Sequence, residues 1–334
     1  MKIKHKMLLA LLLAAALISL NVVPASAAKY SASEAKKVRK FQKEYRKLNK
    51  SKYDKNNLYD SAPNFGVPFN AGSLNSKYIS ATMDYINYYR HLVGLPSEAN
   101  YYSDNTNAQL GADALASVNA SQDLKVHGLL GYTRPSYFPE SDWNTAELST
   151  LGNVNFLDST SPTSAGAIVT DLLRENNNIA GKGNIGHRAL LLSARATHMG
   201  VGAAYGSNNV LYSVENGWFA DDILRTPVKK TVVYPAARVF PYELVGSKTP
   251  WSYSTAQRIV KTPKIYITDL TTKKKHHATQ VHNFGVAHYG DGYATTITYS
   301  PGKTKLVNMH KYRVKIGKYY TYTFRFFRQN GKLK

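Results

Sequence analysis

The sequence predicts two regions of different fold class, a mixed α/β region up to residue 226 and a small all-β, sandwich-like region over 227–334. Apolar residues recur at helical spacing in several segments before residue 193, and a strand–turn–strand pattern follows them. Beyond Thr226-Pro227 the helical periodicity disappears and short alternating runs replace it. A chain of 334 residues is long enough for one large domain or two ordinary ones.

The first 27 residues have the three parts of a secretory signal peptide. Lys2, Lys4 and Lys6 precede an apolar run from 7 to 20, and Ala25-Ser26-Ala27 provides a small-residue cleavage site. A retained anchor helix is the alternative, but the run is short for a bilayer. We therefore expect a secreted protein, extracellular or associated with the cell wall, with no transmembrane span after processing. It contains no cysteine, which excludes disulfides and metal–thiolate sites.

Charge is distributed unevenly along the remaining chain. Residues 28–58 carry 11 basic and 3 acidic side chains, 59–226 carry 9 and 15, and 227–334 carry 20 and 3. Residues 28–75 are predicted to form a basic helical arm followed by a loop. The arm is expected to dock on the protein, to lie on a polyanionic surface, or to fray in solvent. The excess of bases in 227–334 favours an anionic partner, and export favours cell-wall polymers such as teichoic chains over nucleic acid. The alternative is that these bases only keep the surface soluble.

Four helices and a hairpin are predicted within residues 76–226. The first helix covers 77–93, with Arg90 at the edge of its apolar face and its charge in solvent, and it ends at Gly94-Leu95-Pro96. An alanine-rich helix follows over about 107–119, then a loop holding His127 and Glu147. The other two helices cover about 164–175 and begin near Gly186, and the hairpin occupies 199–214.

Alternating runs from residue 227 onwards predict strands over 264–268, 293–299, 312–316 and 320–327. Four histidines in this region are expected to be exposed polar residues rather than metal ligands, because strand alternation would place them on both faces: His276, His277, His282 and His288. Glu215-Asn216 either reaches the rim of a cleft or only ends the hairpin.

Several short motifs occur in an order that resembles one family. Asn87-Tyr-Tyr-Arg90, Gly94-Leu-Pro96, an alanine-rich helix, a histidine, and Gly186-His-Arg followed by Met199-Gly-Val-Gly202 are similar to the CAP superfamily, the SCP domain of cysteine-rich secretory, antigen 5 and pathogenesis-related 1 proteins. The resemblance covers roughly residues 76–220. It implies a CAP-type α-β-α sandwich with an antiparallel sheet and an open cleft.

The same resemblance implies a cleft lined by two histidines and two acids. By position these are His127, His187, Glu147 and Glu175. The motif around Glu147 departs from the family pattern, since Ala146 and Leu148 replace the usual glycine and asparagine. Leu172 replaces the tryptophan that usually precedes the second acid, and an insertion over 176–185 lengthens the approach to His187.

Three hypotheses account for these four side chains. His127 and His187 would suit zinc or another divalent ion, with a glutamate as a base for metal-assisted hydrolysis of peptide or cell-wall material. Without metal they form an acid–base set or a hydrogen-bonding cluster that binds a small ligand or peptide. A purely structural wall protein, in which the cleft is incidental, is a third hypothesis.

Overall fold

A computed structural model describes residues 29–158, 161–217, 222, 224–285 and 287–332. The predicted signal segment, 1–27, lies outside the described residues. The α-helices are α1 (Ala32–Lys47), α2 (Ser76–Val93), α3 (Tyr102–Ser117), α4 (Glu140–Ser149), α5 (Ala165–Arg174) and α6 (Gly186–Leu191). In the described ranges, no helix is long and apolar enough to cross a membrane.

The strands form antiparallel sheets with one parallel pair. They are β1 (Tyr59–Ser61), β2 (Ser73–Leu74), β3 (Asn153–Asp158), β4 (Gly200–Tyr205), β5 (Val210–Asn216), β6 (Thr231–Tyr234), β7 (Arg238–Pro241), β8 (Trp251–Thr255), β9 (Ile265–Asp269), β10 (Lys275–His277), β11 (Thr279–Asn283), β12 (Thr295–Ser300), β13 (Lys311–Ile316) and β14 (Tyr320–Phe327). The chain is therefore mixed α/β. The six α-helices given above lie before residue 192, and most of the strands lie after residue 230.

The first region is built on a three-stranded antiparallel sheet in the order β3-β5-β4. Because strand side chains alternate, its two faces enter two different apolar cores. Val201 and Ala203 face a core that includes α2 and α5, whereas Ala204 and Val214 face a core that includes α3 and α4. Helices thus cover both faces of this sheet.

The second region contains a five-stranded sheet, β10-β9-β13-β14-β7, and a four-stranded sheet, β11-β12-β8-β6. Trp251 of β8 and Phe324 of β14 meet edge to face with ring centroids 5.5 Å apart, which joins the two sheets. Burial alternates along β13 and β9, as in a sheet with one open face, but every residue of β8 is buried. The four-stranded sheet is therefore covered on both faces.

The covering layer of the four-stranded sheet is the α/β region itself. Arg188 of α6 donates to Pro250 O at 2.7 Å, and its guanidinium lies 3.9 Å from the ring centroid of Tyr234. One apolar core runs from α1 and α2 through α5 to the sandwich strands. The change of fold class near residue 227 is therefore not a boundary between separately packed cores.

Arg90 differs from its predicted position in solvent. Its side chain is fully buried, contacts Glu98 at 2.6 Å, and donates to Pro96, Leu191 and Ser193 carbonyls. The sequence prediction was wrong because a long side chain at the edge of an apolar face can also extend into the protein. It does so where carbonyl and carboxylate oxygens satisfy its N–H groups.

Helix α1 lies on the protein rather than in solvent. Ser31 and Glu34 form a capping box at its start. Phe41 stacks on Phe327 of β14, and Gln42 Nε2 donates to Arg328 O and Gly331 O. The structure therefore shows the basic arm docked on the protein. It packs on the outer face of the five-stranded sheet, which is the face turned away from the four-stranded sheet.

The segment predicted as a loop around Glu147 contains helix α4 and the 3-10 turns over Leu124–Leu129. Only Trp143, Ala146 and Ser149 are buried in α4, so its apolar periodicity is weak. The helix forms because these residues pack against α3, a tertiary effect that the local sequence does not show.

Candidate ligand-binding cavity

A cavity of about 680 Å³ opens where the α/β region meets the sandwich. Strand β3, the end of α5, the start of α6 and the segment before Gly128 form its walls. Its lining mixes polar and apolar side chains, including His127, His187, Glu175, Asp171, Asn153, Asn155, Asn177, Asn178, Leu124, Val126, Leu151, Phe156, Ile179, Leu190, His288 and Tyr289. Three of the four predicted site residues are thus brought together.

Glu175 is placed by the way α5 ends. The helix stops at Arg174, and Glu175 takes a left-handed conformation with φ 59°. Its carboxylate then accepts Arg188 N on Oε1 at 2.7 Å, and His187 Nδ1 and Asn178 Nδ2 on Oε2, each at 2.8 Å. Three donors hold this buried carboxylate in one orientation.

The paired carboxylate controls the ionisation of His187. Burial lowers the pKa of this imidazole, but the charge and hydrogen bond of Glu175 more than offset the burial, so the pKa is raised above its ordinary value. Because Nδ1 donates to Glu175, the Nε2 atom remains for a molecule in the cavity. His187 is therefore biased towards the charged, donating form.

His127, unlike His187, favours the neutral form of the imidazole. It lies at a kink between two 3-10 turns, and its Nδ1 is 2.8 Å from Thr150 O. A carbonyl oxygen only accepts, so Nδ1 carries the proton and a neutral His127 has an acceptor at Nε2. Burial lowers its pKa, and the nearby charge of His187 contributes to the same direction. The two imidazoles thus differ in their preferred protonation state.

Glu147 does not line this cavity. It lies on α4, where its Oε1 accepts a hydrogen bond from Trp143 Nε1 at 3.1 Å. Its place in the predicted cluster is therefore not supported by the structure. The physical reason is that α4 packs with Trp143 and Ala146 inward, which gives Glu147 a position on the flank of the helix.

Two other acids approach the site: Asp171, which was not predicted, and Glu215, which was expected either at the rim of the cleft or at the end of the hairpin. Asp171, one turn before Glu175 on α5, accepts Asn177 Nδ2 at 2.7 Å and Asn155 Nδ2 at 3.3 Å. Its i, i+4 spacing from Glu175 is the signal that could have identified it. Glu215 is fully buried in β5 behind the cavity wall, on the sheet face shared with its register partner Asn153.

Glu215 is an unusual group to find inside a sheet. Its Oε1 accepts Ser213 Oγ at 2.9 Å, and its Oε2 has no hydrogen-bond partner among the described residues. Burial raises its pKa to about 7, although Ser213 and the charge of His187 act in the opposite direction. Of the two predicted alternatives, Glu215-Asn216 ends the hairpin, because β5 stops at Asn216. Glu215 does not reach the rim but lies inside the protein, near His187.

The sandwich completes the cavity through the loop between β11 and β12. His288 and Tyr289 line the opening, and Tyr289 Oη accepts Ile185 N at 3.1 Å. The contact ties the inserted segment 176–185 to the sandwich. Among the four sandwich histidines, His288 is exposed as expected, yet it also forms part of the cavity.

The two imidazoles fit a metal ion only in part. Each donates from Nδ1 to an oxygen, a carboxylate for His187 and a carbonyl for His127, which is the usual outer-shell pattern of metal-binding histidines. Within the described residues, however, no group of three or more histidine, aspartate or glutamate side chains is arranged to hold a metal. An ion here would need most of its ligands from water or a bound molecule.

The function is inferred from the cavity, because two comparisons with known proteins found no relative. No protein-family model matches the chain. A search of curated proteins likewise found no match.

Proposed function

We propose that this protein is a secreted, CAP-type protein of the cell surface whose cavity binds a small ligand with peptide-like polarity. The proposal of the CAP-type α-β-α sandwich rests on the motif order of residues 76–220 together with helices on both faces of an antiparallel sheet. Export rests on the signal-like segment 1–27.

The observation that carries the binding proposal is that the two imidazoles of the cavity prefer different protonation states. His187 offers a donor at Nε2 in its charged form, and neutral His127 offers an acceptor at Nε2. A peptide group presents a carbonyl acceptor and an N–H donor, so it complements both rings. Apolar lining residues such as Phe156 and Ile179 would take the side chains of the ligand, as in most small-molecule sites.

A metal-assisted hydrolase is the second candidate, favoured by the outer-shell hydrogen bonds of both histidines. His127 and His187 would hold zinc or a similar divalent ion, which would supply Lewis-acid polarisation of a bound carbonyl. The chain's own contribution would be that Glu175 orients His187 and that the cavity wall limits access of water.

Imidazole NMR on protein labelled with ¹⁵N-histidine tests the binding proposal. The probe is a panel of N-acetylated tripeptide amides and short muropeptides. We expect the Nε2 signals of both histidines to shift with the same saturation curve for at least one probe, and the shift of His127 to be lost in His187→Ala. Glu147→Gln, a nearby carboxylate outside the cavity, is the matched control and should keep full binding. A panel that moves neither signal would reject the proposal.

Calorimetric titration with zinc separates the second candidate from the first. The hydrolase requires one equivalent of zinc that disappears in His127→Ala and in His187→Ala but persists in Glu147→Gln. Absence of zinc binding by the wild type removes the hydrolase and leaves peptide binding intact.

Association with anionic cell-wall polymers through residues 227–334 is also part of the proposal. The support is the excess of 20 bases over 3 acids in that region. Exposed charges of this kind attract a polyanion in a salt-dependent manner, so salt is expected to elute the protein from cell walls.

A further inference from the structure

We propose that helix α1 and the outer face of the five-stranded sheet form one composite basic surface that binds a phosphodiester polymer of the cell wall. This inference rests on the proposed location at the cell surface, but not on any ligand of the cavity. It adds to that proposal the particular face, the participation of the N-terminal helix, and the chemistry of the partner.

The sheet half of the surface follows from the strand register. Lys311, Arg313 and Lys315 alternate along β13 with Tyr312 and Val314, which enter the core. Successive bases on one face of a strand are about 6.6–6.8 Å apart. Register partners place further polar side chains beside them on the same face, namely Tyr266, Thr268, Lys275, His277, Thr321, Thr323 and Arg325.

Helix α1 adds the second half because it lies on the same outer face. Glu34 contacts Lys311 at 3.0 Å and Arg325 at 3.2 Å, and Phe41 stacks on Phe327, two residues beyond Arg325 on β14. The side of the helix turned away from the sheet exposes a row of bases, Lys36, Arg39, Lys40, Lys43, Arg46 and Lys47. Segments nearly 300 residues apart in sequence thereby contribute to one surface.

Acidic groups do little to neutralise this surface. The three acids of residues 227–334 are all engaged elsewhere: Asp269 accepts His310 Nδ1 at 2.8 Å, Glu243 lies 3.7 Å from Arg328, and Asp291 is buried at the junction with the α/β region. Helix α1 carries two acids: Glu34 is shared by Lys311 and Arg325, and Glu44 lies 3.8 Å from Lys40. The bases of the surface outnumber them, so it keeps a surplus of positive charge.

The chemistry of the face favours a polar polymer over a lipid bilayer. The side chains beside the bases are three threonines, Tyr266 and His277, all with polar groups. The large exposed apolar residues among the described residues, such as Leu148, Leu224 and Val260, lie outside the strands and helix that form this surface. Membrane-binding surfaces combine bases with inserted apolar side chains. Bases repeating along a strand instead suit a chain with repeating phosphates, which releases counterions on binding.

Apart from α1, the parts of the chain that the structure describes leave this face exposed at Arg313 and Lys315. The α/β region covers the four-stranded sheet on the opposite side of the sandwich, and the cavity opens at that junction. A polymer on the basic surface would therefore leave the cavity accessible.

Sedimentation of full-length mature protein with purified cell walls tests the proposal, using walls with and without their teichoic polymer. Arg313→Glu/Lys315→Glu alters the sheet half, and Lys36→Glu/Lys43→Glu alters the helix half. Lys52→Glu/Lys77→Glu is the control, because it makes the same charge change at exposed positions outside the surface. We expect each test pair to weaken binding by about tenfold and to reduce its salt dependence, while the control stays within about twofold of the wild type.

Four results would overturn the proposal. Equal weakening by all three pairs would show attraction by net charge alone, and loss only in the sheet pair would remove α1 from the surface. Equal binding to stripped walls would exclude the phosphodiester polymer, and tighter binding to anionic lipid vesicles than to walls would indicate a membrane partner. His187→Ala should bind walls as the wild type does, so failure of the cavity proposal and failure of this one are distinguishable.

Discussion

The α/β region and the sandwich use charged side chains in opposite ways. The α/β region buries Arg90, Arg188, Glu175 and Glu215 among carbonyls, amides and one another. The sandwich exposes Arg313 and Lys315 on a regular sheet face. Buried charge gives a cavity with fixed donors and acceptors, whereas exposed charge gives a surface that responds to salt. Under the proposed function, the α/β region recognises a ligand and the sandwich determines where the protein is held.

The same two regions share one apolar core, so this division of roles is not a division into independent domains. Tyr234 and Val239 of the sandwich belong to the cluster that contains Tyr89 and Ile168 of the α/β region. The largest expected effect therefore comes from separating the regions.

Truncation after Thr226 should abolish cooperative folding of the remaining chain, because it exposes the apolar surface that the sandwich covers. Thermal unfolding followed by near-ultraviolet circular dichroism of residues 28–226 and 28–334 checks this expectation. A shortened protein with a single sharp transition near that of the full chain would show that the regions are independent. Release of a truncated protein from cells is consequently a poor test of wall retention, and charge reversal is the better one.

Arg188→Met should lower the free energy of unfolding by about 2–4 kcal/mol, since it leaves Leu173 O and Pro250 O without donors and removes the contact with Tyr234. Urea unfolding measures the change. Arg258→Met, at an exposed sandwich position, is the control and should alter stability by less than about 0.5 kcal/mol. Equal effects of the two substitutions would contradict the role given to the junction.

Glu215→Gln should raise stability at pH 8 and have little effect at pH 5. The unfolded carboxyl titrates near its ordinary value of 4.5, and the folded one at about 7, so the native state retains a proton that the unfolded state loses between these pH values. Stability of the wild type falls over this window, by at most about 3 kcal/mol from this group. Urea unfolding at both pH values, with Glu147→Gln as control, measures the difference. A pH dependence unchanged by the substitution would show that Glu215 is ionised in the folded state.

Glu175→Gln should lower the pKa of His187, because burial then acts without the opposing charge. In the wild type the raised pKa stabilises the fold below the ordinary histidine value of 6.5, and this contribution is lost as pH rises through the folded value. The substitution is therefore more destabilising at pH 5 than at pH 8. Imidazole NMR titration follows His187 directly, and a pKa that does not fall would show that Glu175 is not its controlling partner.

The sequence predicts those helices and strands whose apolar residues repeat at helical or alternating spacing within one segment. The segment predicted as a helix over 77–93 is α2, ended by Gly94 in the left-handed conformation, and the predicted hairpin is β4–β5. Strands β13 and β14 also match their alternating patterns. Strand β6 was missed because Val232, Val233 and Tyr234 are all buried, so its sequence lacks the alternation of a strand with one open face.

The candidate site was predictable only as far as its motifs extend. His127, His187 and Glu175 lie together as expected, while Glu147 does not join them. Glu215 and His288 could not be assigned, because their proximity to the cavity depends on sheet register and on docking between regions. Neither the sheet register nor the docking between regions can be predicted from the local sequence.

The packing of α1 on β14 has a consequence for how the chain is made. Gln42 donates to Arg328 O across 286 residues, so α1 completes this contact only after the end of β14 has been synthesised. Contacts at such sequence separation are slow to form, because a long loop must close first. A nascent chain of this design stays incompletely folded while it leaves the ribosome, the state in which a polypeptide can still be threaded through a membrane pore. If the chain is exported as proposed, the contact between α1 and the end of β14 would form only after the chain has crossed the membrane.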